Sequence, residues 1–134
     1  MTKGKGFPVI STIAAALALA VLIFSFTVPS AYTKDTERMI GHSIERTREA
    51  LFAGNMDAVR ESVEEIYVEF QRRKDKLMLI SHDDNVEQME RAINCCRDLA
   101  RLEQNDNLIC ELSSLYQITR HMMSMESADM TELF

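Results

Sequence analysis

From residue 35 onward, apolar side chains recur at steps of three and four, the period of an amphipathic helix. Residues 9–28 show no such alternation: Ser11, Thr12, Ser25 and Thr27 are the only polar residues in that run. The first amphipathic segment covers residues 35–53 and lines one face with Ile40, Ile44, Thr47 and Leu51. Asp35 is its candidate N-cap, and Gly54-Asn55 supplies a left-handed stop. The second covers residues 56–79, with a stripe of Val59, Val63, Ile66, Phe70, Leu77 and Ile80 that Arg73 interrupts. Ser81, three residues before Asp84, has capping-box spacing for a third helix. That helix carries Val86, Met89, Ile93, Cys96 and Ala100. Gln104-Asn105-Asp106 connects to a fourth, with Asn105 or Asp106 as its cap and Leu108, Leu112, Leu115, Thr119 and Met122 on its stripe. After Met125 the pattern dissolves into a polar tail.

The pattern predicts an all-α chain: an N-terminal transmembrane helix followed by a bundle of about four amphipathic helices in two helical hairpins. Residues 1–8 are a short tail, 9–28 the membrane helix, 29–34 a linker, 35–126 the bundle and 127–134 a C-terminal tail. The core is expected on Val63, Ile66, Phe70, Ile93 and Leu112, with Lys74 on the charged side of the second helix. A faint echo at an offset of 49 maps Leu51, Val59, Val63, Ile66 and Tyr67 onto Ala100, Leu108, Leu112, Leu115 and Tyr116. A duplicated helical hairpin would give such an echo. Any two amphipathic hairpins match at some offset, however, and that plainer explanation is the one preferred on sequence.

At about 1.5 Å per residue, the run 9–28 spans about 30 Å, the thickness of the hydrocarbon core. A secretory signal is the competing reading, with cleavage after Ser30, but its apolar part is normally shorter. No Cys follows the run, which argues against a lipoprotein. Lys3 and Lys5 precede it, whereas Lys34 and Arg38 follow with Asp35 and Glu37 beside them. The expected orientation is N-terminus cytoplasmic, with the helical domain outside the membrane as a single-pass protein.

Composition narrows the function classes. Four Gly and two Pro in 134 residues are too few turn formers for a sandwich or barrel. All 21 acids and 13 of the bases lie from Lys34 onward, a net charge of −8, so nucleic acid is not an expected partner. The basic cluster Arg72-Arg73-Lys74-Asp75-Lys76 follows the acids Glu61, Glu64, Glu65 and Glu69, which reads as a solvated face with ion pairs between turns.

His82-Asp83-Asp84 is the leading candidate for chemistry, since carboxylates beside an imidazole can hold a metal or move a proton. Successive helical residues point about 100° apart, so a metal would also need His42 or His121. The plainer role for Asp83 and Asp84 is to complement a helix N-terminus. Cys95, Cys96 and Cys110 contain no C-x-x-C. Cys96 and Cys110 flank one turn and are near enough in sequence to meet, although small apolar filler is the preferred reading of all three. Met122, Met123, Met125 and Met130 form a Met-rich end, weakly suggestive of Cu(I). Gly4-Lys5-Gly6 is not a phosphate loop, and the H-E-x-x-H and G-x-S-x-G patterns are absent. No cofactor, metal or catalytic residue is assigned; His82, Asp83, Asp84 and His121 are weak candidates for a functional site.

The layout resembles a family of small, N-terminally membrane-anchored helical proteins of unknown function from Gram-positive spore-forming bacteria and their relatives. The resemblance is carried by Leu79-Ile80-Ser81-His82-Asp83-Asp84-Asn85-Val86-Glu87, by helices of the Ile93 and Leu108 type, by His121 near the end of the last helix and by the short acidic tail. The chain lacks the Trp that members often carry before that stretch, with Phe70 and Leu77 as candidates for the space. The resemblance implies architecture and location and no mechanism. The expected function is therefore a membrane-anchored, non-catalytic interaction or structural protein of the bacterial cell envelope. Its expected partners are the lipid bilayer through residues 9–28 and a protein. The alternative is a metal- or redox-linked envelope sensor or enzyme using His82 and the Cys residues.

Overall fold

A computed structural model describes the backbone from Lys3 to Glu132 and the side chains of residues 9–25 and 31–122. Among the described residues the structure is entirely helical, without a strand. Four helices follow in order: α1 (Lys3–Phe52), α2 (Met56–Ile80), α3 (Asp83–Arg101) and α4 (Asn105–Glu132). The chain falls into two units, Met1–Tyr32 and Thr33–Phe134.

The second unit is an antiparallel bundle. Arg73 of α2 reaches Asp35 and Thr36 of α1, while Thr47 of α1 meets Ser62 of α2. Arg97 and Glu90 of α3 bond Glu64 and Lys74 of α2. Arg48 of α1 bonds Ser113 of α4 across the remaining seam. Every residue of the four expected stripes is buried except Ile80, which is half-buried. Phe70 is the largest side chain wholly removed from solvent, and Val63, Ile66, Ile93 and Leu112 are buried with it. Four hydroxyl residues join the core unannounced by the apolar pattern: Thr33, Thr36, Ser43 and Ser62. Thr47 Oγ1 donates to the Ser43 carbonyl at 2.8 Å and lies 2.7 Å from Ser62 Oγ. Such local bonding lets a hydroxyl sit in a dry core without an unpaired group.

Several element ends differ from expectation. Helix α1 runs unbroken through residues 29–34, the expected linker, because Thr33 and Thr36 already pack into the bundle. Asp35 is consequently a mid-helix residue accepting from Arg73, not a cap. Ser81 closes α2 by donating its N–H to the Leu77 carbonyl at 2.8 Å, so His82 takes the cap position of α3 and the Ser81–Asp84 box does not form. Gln104, not Asn105 or Asp106, precedes α4, and its carbonyl accepts from Leu108 N–H. Helix α4 continues to Glu132, through most of the expected tail, in a stretch with no Gly or Pro to stop it. Among the described residues no helix is long and apolar enough to cross a membrane. Residues 9–25, the described part of the apolar run, amount to about 26 Å of helix, short of the roughly 30 Å hydrocarbon core. The side chains of residues 26–28 lie outside the described set.

The offset-49 echo is deeper in the structure than in the sequence. Each position from 40 to 55 has the same state of burial or exposure as the one 49 residues on, from 89 to 104. Both hairpin turns close in the same way. At the first, Asn55 N–H bonds the Ala50 carbonyl and Gly54 N–H bonds Leu51; at the second, Gln104 bonds Leu99 and Glu103 bonds Ala100. These are paired Schellman closures, with the left-handed position filled by Gly54 (φ 71°) and Glu103 (φ 54°). The inter-hairpin bonds Arg48–Ser113 and Arg97–Glu64 fall at matching positions too. The two hairpins thus occupy equivalent places in the bundle, with matching burial, turn bonds and bridging positions.

Candidate functional site

The expected site residues do not come together. His82, Asp83 and Asp84 are exposed at the α2–α3 turn, where the two acids occupy the first turn of α3 and face its positive end. His82 makes no side-chain capping bond. His121 is exposed on α4 and His42 on α1. Among the described residues, no three His, Cys, Asp or Glu side chains converge where a metal ion would sit.

All three cysteines are free thiols. Cys96 is buried, and loss of hydration pushes its thiol up to about 12, with smaller contributions from Glu111 and Cys95. Cys95 and Cys110 are exposed and so do not serve as filler. Partial burial, then Glu111 and Asp98, raise the Cys95 thiol as well. Helix α3 is 19 residues long, about 28 Å, so His82 and Cys110 stand at opposite ends of the bundle. Met122 is buried on the α4 stripe; Met123, Met125 and Met130 lie outside the described side chains.

A concavity lies elsewhere, along the seam between α1 and α4. A groove of about 730 Å³ opens over Gly41, with Arg48, Arg38 and Lys34 along one wall and Tyr116 on the other. Past Tyr116 the surface continues into a second hollow lined by Arg120 and His121. Gly41 lies close to the Tyr116 ring, since a Cβ there would stand 3.5 Å from it, an ordinary contact distance. Arg48 donates to Ser113 at 2.8 Å and to the exposed Glu45 at 3.2 Å. Lys34 and Arg38 form no ion pair among the described residues. On a domain carrying net −8, this is a local excess of cations beside an aromatic ring.

Sequence reasoning named His42 and, in the neighbouring hollow, His121 as possible metal ligands, Lys34, Arg38 and Glu37 as charges following the apolar run, Ile44 as a stripe residue and Tyr116 in the echo. It placed none of them in a groove, and Gly41 and Arg48 were missed. The echo held the available signal, because aligning the halves sets Gly41 against Glu90 and Arg38 against Glu87. No family model, curated protein or solved structure matches the chain.

Proposed function

We propose that the chain is a membrane-anchored, non-catalytic interaction protein of the bacterial cell envelope, with the helical bundle presented outside the membrane. One observation carries this reading. Nine large apolar side chains between Val9 and Phe24 are 53–69% exposed, and at 100° per residue they fall on every side of α1. A helix that is apolar all round requires an apolar surrounding. Each such side chain gains roughly 1.5–3 kcal/mol on leaving water. The length that a span needs comes from the sequence, where the uncharged run extends through Val28. The resemblance noted above agrees with an envelope location. The interaction role is supported by the open cationic groove.

Fractionation with an alkaline carbonate wash tests the anchor. The full chain is expected in the membrane pellet, and a chain lacking residues 9–28 in the supernatant. A mature protein beginning at Ala31 would overturn it. Exposed Cys110 tests orientation: a membrane-impermeant maleimide applied to intact cells should label it, and labelling only after lysis would reverse the topology.

A further inference from the structure

The two hairpins can be laid on one another at the offset of 49, which turns the seam between α2 and α3 into a reference for the seam between α1 and α4. At the first seam the chain's own carboxylates pair the cations, and only a smaller hollow of about 280 Å³ is left beside Glu64 and Arg97. Glu90 accepts from Lys74 Nζ at 2.8 Å and from Gln71 at 3.3 Å. Glu64 accepts both a 3.0 Å and a 3.1 Å bond from Arg97, whose guanidinium lies 3.7 Å over the Tyr67 ring. At the second seam the matching arginine and tyrosine are kept, as Arg48 and Tyr116, but the acids are gone. Gly41 stands for Glu90, Ser113 for Glu64, Arg38 for Glu87 and Lys34 for Asp83; Arg120 stands for Gln71. Among the described residues, Glu37 and Glu45 are the acids on the groove wall, and Glu45 already serves Arg48.

We propose that the α1–α4 groove binds a carboxylate-rich segment of a protein partner, whose acidic side chains take the places that Glu90 and Glu64 occupy at the α2–α3 seam. This rests on the interaction-protein reading and names the partner's chemistry. The volume, about 730 Å³, admits several side chains and not merely one small anion. At the first seam the two carboxylates meet a cation each, Lys74 and Arg97; at the second, Arg48 stands for Arg97, and Arg120, in the place of Gln71, supplies the other cation because Met123 stands for Lys74. Tyr116 supplies a flat apolar wall along which the segment's backbone or methylenes lie, as the Arg97 guanidinium lies on Tyr67.

The test uses the full chain in phosphatidylcholine nanodiscs and a fluorescein-labelled peptide of alternating Glu and Ala, read by anisotropy, with a Gln-for-Glu peptide as control. Saturable binding of the Glu peptide, at least tenfold tighter than the Gln peptide, is expected. Gly41→Glu returns the missing carboxylate from within. Its Cβ meets Tyr116 at an ordinary contact distance, so the fold is kept; a Tm at or above that of the parent checks this. Gly41→Glu and Arg38→Ala should each weaken the Glu peptide at least tenfold, while Arg91→Ala on the opposite seam should leave it unchanged. Equal binding of the two peptides, or a Gly41→Glu protein that binds like the parent, would overturn the proposal. So would a response to Gly41→Glu seen only with phosphatidylglycerol nanodiscs and no peptide, which would assign the groove to a lipid headgroup. None of these outcomes touches the carbonate-wash result, so the groove and the anchor fail separately.

Discussion

Phe70 is wholly buried, and the position 49 residues on, Thr119, is wholly buried too. One large ring and one small hydroxyl residue thus share equivalent places in the two hairpins. Truncating a buried Phe costs about 3–5 kcal/mol, a large share of the roughly 5–15 kcal/mol holding a domain together. Phe70→Ala should therefore unfold or nearly unfold the bundle, as followed by circular dichroism on heating. Lys74 is a poor control, contrary to expectation: it is half-buried in a bond to Glu90, which also raises its ammonium pKa. Arg91, 78% exposed, is the better one, and Arg91→Ala should change stability by no more than about 0.5 kcal/mol. Cys96 adds a pH dependence. Its thiol holds its proton up to about 12 when folded and to 9.0 in the ordinary state, so the folded chain binds more protons between those values. Stability from this group is complete below about 9 and is lost as pH rises toward about 12. Denaturant melts at rising pH should show that decline, and Cys96→Ala should flatten it.

At the scale of elements, the helices were legible and their ends were not. Burial selects side-chain type at each stripe position, so Ile40, Val63, Ile93 and Leu112 announce themselves through period alone. Capping depends on how many residues remain for a turn. Between α2 and α3 only Ser81 and His82 remain, and Ser81 is spent closing α2. Arg73, which seemed to break the α2 stripe, belongs at its edge, with its side chain 18% exposed and bonded to Asp35. The groove was illegible for a different reason: a glycine opposite a tyrosine on a distant helix leaves no mark on either helix's period. The two turns make a paired test. Both need a left-handed residue, which costs a non-glycine about 1–2 kcal/mol. Gly54→Ala should lower Tm by several degrees, and Glu103→Gly should raise it, at about 4–8 °C per kcal/mol for a domain of this size. The exposed Arg60–Glu103 bond is a small loss in the second case, because Arg60 also pairs with Asp57.

For the whole molecule, the equivalence of the hairpins has a consequence for how chains meet. The surface that α1–α2 offers α3–α4 is one that the same hairpin of another molecule can satisfy equally well. Only Ser81 and His82 separate the two halves. Straightening that hinge merges α2 and α3 into one long rod, and two chains then exchange their C-terminal hairpins to rebuild two complete bundles. Removing Ser81 leaves too little chain to reverse direction and should raise the share of such exchanged dimers, seen by size-exclusion chromatography with light scattering. Inserting three glycines at the same place should lower that share. In the exchanged form, the Arg97–Glu64 clasp that closes one seam would become a bond between two molecules, while each rebuilt bundle would still carry an open cationic groove on its other side.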